Sequence, residues 1–206
     1  SFGTTWLTPR IQEFMQLNPE IEVELIFDDK ELDLSTREAD IGIFMRRPKK
    51  LNYIQRKLID INYHIYGSTK YLDKFGYPKT INDFNKHKFI SFGKGAPSPV
   101  FNPDWALKLG IKDNKKRNAV MKVNSVYGLL LAVQSGVGLA ALPDYITVNV
   151  PNLVKVLPKI EGPITEAHFV YPQSLKNNAR VQAFRNFLYS KISEWKFWLK
   201  IANFKH

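Results

Sequence analysis

No cysteine occurs among the 206 residues. Disulfides, thiol nucleophiles and thiolate metal sites are therefore excluded, and a reducing, cytoplasmic compartment fits best. Histidine is nearly as scarce. His64, His87, His168 and His206 stand far apart without metal-ligand spacing, which argues against an imidazole zinc site. No apolar run is long enough to cross a bilayer: the longest candidate, residues 126–142, is broken by Gln134, Ser135, Gly136 and Gly138. No signal peptide is visible, and the sequence opens at Ser1 without a methionine, as if in the middle of a domain. No internal repeat or low-complexity tract is present. Ser135 lies near glycines, but Val133 stands two residues before it, so there is no G-x-S-x-G nucleophile elbow. No Ser-His-Asp order or spacing suggests catalysis, and no cofactor is expected. The chain reads as a binding protein and not as an enzyme.

Acidic residues are also in deficit, 19 against 30 basic, which leaves a formal charge of +11. A basic domain invites a nucleic-acid reading. However, 22 of the 30 basic residues are Lys and only 8 are Arg, spread along the chain. Phosphate and base recognition favours clustered Arg, whereas scattered Lys solvates a surface. The local clusters, Arg46-Arg47-Pro48-Lys49-Lys50, Arg56-Lys57 and Lys115-Lys116-Arg117, sit beside turn-forming residues and read as solvated loops.

Strand and helix signals alternate along the chain, which predicts an α/β fold. Thr4 and Thr5 precede a helical pattern of Leu7, Ile11, Phe14 and Met15, ended by Asn18-Pro19. Ile21, Val23, Leu25 and Phe27 alternate with charged residues as a half-buried strand should. A short helix with Leu32 and Leu34 precedes a buried strand over residues 39–45, and residues 46–50 form a loop. Extended segments follow at 53–58 and 61–66, then a helix with Tyr71, Leu72 and Phe75 on one face. Thr80 and Asp83 have capping-box spacing. Residues 89–92 form a strand, residues 93–103 a Gly- and Pro-rich loop, and Trp105, Leu107 and Leu109 a helix. Residues 119–123 are a strand leading into Asn124-Ser125, which caps an apolar helix closed by Gly136. Short strands at 139–142, 154–157 and 167–170, a helix opened by Pro143, and a last amphipathic helix with Val181, Phe184, Phe187, Leu188 and Ile192 complete the chain. An aromatic tail carries Trp195, Phe197, Trp198 and Phe204.

Gly136-Val137-Gly138-Leu139-Ala140-Ala141 matches the G-x-G-x-x-A dinucleotide fingerprint. That loop must follow a strand and open a helix. Here it follows a helix and opens a strand, so Gly136 reads as a left-handed helix stop. Asp28, Asp29 and Glu31 read as an acidic turn after a strand, not as a cation site. Two helix starts, Thr4-Thr5 and Asn124-Ser125, offer backbone N–H groups, a positive dipole end and polar side chains. Taken alone, each is simply a good N-cap.

Five stretches in order resemble the regulatory domain of LysR-type bacterial transcription regulators. They are SFGTTWLTPRIQEFMQLNPEIEVEL, EADIGIF, HIYGSTKYLDKFGYPKTINDFNKHKFISF, SVYGLLLAVQSGVGLAALPDYI and VYPQSLKNNARVQAFRNFL. The resemblance covers nearly the whole chain, the tail after Tyr189 excepted. It implies a type 2 periplasmic-binding-protein-like fold: two Rossmann-like α/β lobes joined by two crossover strands, with ligand in the cleft between them. Lobe I is expected over residues 1–66 and 171–206, and lobe II over residues 67–170. Carried onto this sequence, the family's pocket loops supply Ser1, Phe2, Thr4, Thr5, Asp28, Asp29, Arg46, Phe92, Ser98, Asn124, Ser125 and Val126 as effector-binding residues.

The resemblance further implies a small-molecule effector acting by population shift. The two helix starts and Arg46 suggest an anion, and Asp28 with Asp29 an amino-acid-like one if they point inward. A homodimer or homotetramer is expected, with promoter DNA bound only through a winged helix-turn-helix that this chain lacks, and no membrane partner. An exported solute-binding protein of a transporter, built on the same fold, is the alternative.

Overall fold

A computed structural model describes residues 1–28, 33–36, 38–48, 52–94, 98, 102–112 and 115–203. The chain divides into two compact units. The first comprises Ser1–Trp6 and Ile61–Thr165, the second Leu7–Asp60 and Glu166–His206.

The second unit is built on a three-stranded sheet. Strand β1 (Gly42–Phe44) pairs antiparallel with β8 (Thr165–Pro172), and β2 (Tyr53–Ile61) lies on the other side of β8. Its helices are α1 (Ile11–Leu17) and the long α6 (Ala179–Asn203). Phe14 of α1 packs edge-on against Phe184 at 5.0 Å and at 5.3 Å from Phe187, so one aromatic knot joins the helices. Aromatic pairs of this kind contribute about 0.5–1.5 kcal/mol each beyond burial. Helix α6 runs well past the last amphipathic turn expected from the sequence, because the 25-residue segment contains no Gly or Pro to stop it.

Two expectations fail here. Residues 21–27 form no strand: the intermediate burial of Ile21, Val23 and Leu25 still alternates with exposed Glu22 and Glu24, but no ladder is made among the described residues. Side-chain alternation reports one covered face, whereas a strand also needs a partner backbone. The first helix also starts earlier than the Thr4-Thr5 cap. A π-type turn over Gly3–Leu7 and a 3-10 turn over Thr8–Arg10, holding Pro9, lead into α1. Pro9 lacks an N–H and crowds the preceding carbonyls, so the entry cannot be a regular α-helix. Leu32, assigned from sequence to a short helix, lies outside the described residues, whereas Leu34 opens a 3-10 turn over Leu34–Thr36.

The first unit centres on β3 (Tyr63–Ser68), buried along its whole length. It pairs antiparallel with β6 (Ala140–Pro143) on one side and β7 (Leu153–Val156) on the other. Strands β4 (Phe89–Phe92) and β5 (Ala119–Val123) form a parallel pair. A parallel bridge between Phe89 and Leu139 joins β4 to the start of β6, through bonds from Ile90 N to Leu139 O (2.8 Å) and from Leu139 N to Lys88 O (2.9 Å). Helices α2 (Thr69–Phe75), α3 (Trp105–Lys108), α4 (Val126–Gln134) and α5 (Asp144–Thr147) complete the unit.

The glycine motif that imitates a nucleotide fingerprint has a structural explanation in this seam. Gly136 has φ +86°, the left-handed helix stop expected from the sequence. A Cβ on Gly138 would lie 2.5 Å from Lys88 O and 3.0 Å from its carbonyl carbon. Both contacts are backbone and cannot swing aside. Gly138→Ala should therefore cost about 1–3 kcal/mol as an overpacking strain. Thermal unfolding should show this as a Tm several degrees lower, at ~2–4 °C per kcal/mol for a chain of this size. An unchanged Tm would mean that the seam is not closed in solution.

Candidate functional site

Strands β4 and β5 run parallel, so the segments leaving their carboxyl ends emerge on one side of the first unit. In open α/β sheets that side is where ligands bind. Gly93 leaves β4 by donating its N–H to Val123 O at 2.9 Å. A Cβ there would stand only 3.4 Å from Val123 N and 3.5 Å from Asn124 N, so the two exits are held against each other. Asn124 and Ser125 then lead into α4, with Ser125 as N-cap: its Oγ accepts from Gly128 N at 3.3 Å. Both side chains are exposed.

A small pocket opens beside these exits. Its wall includes Ser91 and Phe92 of β4, Ser98 beyond it, Trp105 and Leu107 of α3, Val126 and Leu129 of α4, and Tyr63 and Pro143. The enclosed space is about 20 Å³. That is room for one water-sized group, not for a whole metabolite. Trp105 is seated by Gly162, where a Cβ would lie 2.5 Å from the indole ring, and Gly162 is itself tied to Tyr63 O at 2.8 Å. On two of the lining residues, Ser91 Oγ and Trp105 Nε1 are buried and make no hydrogen bond among the described residues. No carboxylate, histidine, lysine or arginine lines the pocket among the described residues.

Two clusters steady this wall. Ser1 Oγ lies 2.8 Å from the Tyr145 hydroxyl, while Phe2 is buried, stacked on Trp6 at 4.8 Å and edge-on to Tyr145 at 5.2 Å. Burial pushes the Tyr145 phenol up to about 12, with the Ser1 hydrogen bond opposing the shift. Burial, then the neighbouring Tyr145, raises Tyr63 well above the ordinary tyrosine range, against a hydrogen bond with Thr165. The second cluster gathers on Asp144. Its Oδ1 accepts from Tyr66 OH at 2.8 Å and lies 2.8 Å from His64 Nδ1, and Lys155 Nζ stands 3.2 Å from Oδ2. This anchors α5, and with it Tyr145, onto β3 and β7.

Of the residues singled out from the sequence, Phe92, Ser98 and Val126 line the pocket, and Asn124 and Ser125 lie beside it. Ser1 and Phe2 reach Tyr145, next in sequence but one to the pocket residue Pro143. Thr4 is exposed. Thr5 is no open N-cap: both its N–H and its hydroxyl donate to Ser1 O, each at 2.9 Å. Asp28 and Arg46 are exposed residues of the second unit, and Asp29 lies outside the described residues. Sequence reasoning missed Ser91, Trp105 and Tyr63, because each reads as an ordinary core position of a strand or helix. Trp105 carried the one available signal, a large polar-tipped ring beside a Gly- and Pro-rich loop.

Two α/β units, with the chain passing between them near residues 6, 60 and 165, define the fold class of type 2 periplasmic binding proteins. The expected fold is thus the one found. Residues 1–192 match the family model described as the LysR substrate binding domain, and the chain belongs to that family. An uncharacterized HTH-type transcriptional regulator of Haemophilus influenzae is 27% identical over 175 residues, covering 83% of this chain and 59% of its own length. An HTH-type regulator of Xanthomonas campestris is 25% identical over 197 residues, covering 94% of this chain and 57% of its own. The chain therefore spans somewhat more than half the length of these relatives. The CrgA regulatory domain, from a LysR-type transcriptional regulator of Neisseria meningitidis, superposes with a TM-score of 0.80 at 22% identity, covering 93% of this chain and 94% of that one. This family is one of transcription regulators, and the matches lend nothing to the exported solute-binding alternative. No described helix is long and apolar enough to cross a membrane.

Asp144→Ala would leave Tyr66 and the buried His64 without their shared acceptor. The loss should be about 1–3 kcal/mol in urea unfolding, the cost of stranding buried polar groups. Asp144→Asn, which keeps an acceptor, should lose less. Equal losses would show that the acceptor is not what holds α5.

Proposed function

We propose that this chain is the effector-sensing domain of a LysR-type regulator whose DNA-binding part lies outside this sequence. The reading rests on one observation above the others: the family match spans residues 1–192, and within it the parallel strand ends of the first unit and the pocket beside them converge on α4. Promoter DNA is bound by the full-length protein, in the cytoplasm, and this domain performs no chemistry. Effector binding biases one arrangement of the domain over another, and the oligomer carries that bias to the DNA.

The effector is proposed to be a small anion, a carboxylate or an amino acid. Its acid group would sit at the start of α4, where Asn124 and Ser125 are exposed and the nine-residue helix presents its positive dipole end. Asp28, Arg46, Thr4 and Thr5 are kept as further effector contacts on the family resemblance alone. A thermal-shift screen of carboxylates, amino acids and neutral metabolites is expected to return acids that raise Tm in proportion to the logarithm of concentration above Kd. Ser125→Ala should cost the unliganded domain about 1 kcal/mol of lost cap and also shrink the response to an acid. Stabilisation by neutral or cationic compounds alone would reject the anionic effector.

We also propose a homodimer, with a homotetramer as the alternative assembly, in which α1 of one chain packs near α4 of the other. Met15 and Leu17 on α1 are 47% and 68% exposed, and Tyr127 and Leu131 on α4 are 44% and 49% exposed. Tyr127 and Leu131, four residues apart, are neighbours on one face of α4, and α1 exposes two large apolar side chains beyond its buried Phe14. Sedimentation at micromolar concentration should show a dimer that Leu131→Glu converts to monomer. A wild-type monomer at high concentration would contradict the assembly.

A further inference from the structure

We infer that the helical turns over Gly3–Arg10 are an adjustable joint through which movement of the first unit reaches α1. This rests on the sensing function proposed above and names an element that regulates it. The chain changes units three times. Two of the changes fall inside strands, between Asp60 and Ile61 of β2 and between Thr165 and Glu166 of β8. Those strands are neighbours in one sheet, and Lys57 Nζ of β2 lies 2.8 Å from Glu166 of β8. A strand at about 3.3 Å per residue is already close to full extension, so these two crossings can twist but not lengthen. The third change, between Trp6 and Leu7, falls inside helical turns.

The winding is irregular at that point. A π-type turn over Gly3–Leu7 is followed directly by a 3-10 turn over Thr8–Arg10, and only then by α1. A π turn winds in more residues than an α turn, and a 3-10 turn fewer. Each residue that passes from 3-10 to α winding shortens the segment by about 0.5 Å. A slack turn beside a tight one is therefore a link whose length can change. Pro9 enforces the irregularity, because it donates no N–H and its ring crowds the carbonyl four residues back, that of Thr5.

Both ends of the link are anchored. On the first-unit side Phe2 stacks on Trp6 and meets Tyr145 edge-on, and Ser1 Oγ lies 2.8 Å from the Tyr145 hydroxyl. On the α1 side Phe14 is clamped by Phe184 and Phe187, and Glu13 pairs with Lys191 at 2.6 Å. Phe2, Trp6, Leu7 and Phe14 are buried, whereas Thr8 and Pro9 between them are exposed. No core packing resists a change of winding at those two residues. A 3-10 stretch interrupting a helix is a common form of hinge. A shift of the Phe2–Trp6 anchor with the first unit is thus delivered across Thr8–Arg10 to α1, which carries the exposed Met15 and Leu17 of the proposed dimer surface.

The lack of cysteine makes the joint accessible to spin labelling. Lys79→Cys in the first unit and Ser174→Cys in the second, both at exposed positions, would carry one label each. Dilution with unlabelled chain restricts double electron–electron resonance to distances within one chain. The wild type should give a broad distribution. Pro9→Ala restores the N–H and removes the ring, so the distribution should narrow and amide exchange of residues 8–11 should slow about tenfold. Thr8→Gly loosens the same turn and should broaden the distribution, a second reading that stands even if Pro9→Ala does not fold. Equal widths in the wild type and both variants would overturn the joint, as would a single narrow distance in the wild type. Slower exchange in Pro9→Ala without narrowing would also overturn it, since the winding would then not govern the movement. Failure of every acid in the thermal-shift screen would reject sensing and leave these widths as they are, whereas equal widths would reject the joint and leave acid binding as it is.

Discussion

Everything at the candidate site depends on how closely the chain near Gly138 approaches the backbone of Lys88. Without that approach, Leu139 could not exchange hydrogen bonds with Lys88 and Ile90, and the parallel pair β4–β5 would have no backbone link to β3, β6 and β7. The link fixes where β4 ends. That end carries Ser91 and Phe92 into the pocket and sets Gly93 against Val123, which in turn places Asn124 and the start of α4. A two-residue backbone contact thus sets the position of this pocket wall and of the start of α4.

The polar groups buried in this unit are not all used alike. Asp144 is shared by Tyr66, His64 and Lys155, and Tyr145 is engaged by Ser1. These groups are satisfied inside the fold and hold α5 in place. Ser91 Oγ and Trp105 Nε1 have no hydrogen-bond partner among the described residues. A network whose members are all paired rigidifies a core. The close approach of the Trp105 ring to Gly162 leaves no room for a side chain there.

The alternation of elements, the cap at Ser125, the stop at Gly136 and the strands at residues 89–92 and 119–123 were all legible in the sequence, because each rests on local chemistry. The family resemblance supplied the fold, and three of the effector contacts it implied, Phe92, Ser98 and Val126, line one pocket. Residues 21–27 were misread since pairing depends on a second strand, which periodicity does not report. The early turn at Gly3–Leu7 was missed because Thr4 and Thr5 look like caps, while the oxygen that receives the Thr5 N–H is the backbone carbonyl of Ser1. Ser91 and Trp105 were invisible for a different reason. Their burial says core, and only the absence of an internal partner, a property of three dimensions, separates them from it.

The central claim is that the first unit's strand ends at β4 and β5 sense a small acid. Amide hydrogen exchange, compared with and without an acid that stabilises the domain, addresses it directly. Residues 90–93 and the first turn of α4, 125–129, should gain the largest protection, since ligand contact there suppresses local opening. Protection confined to β1, β2 and α6, with the strand ends unchanged, would contradict the account.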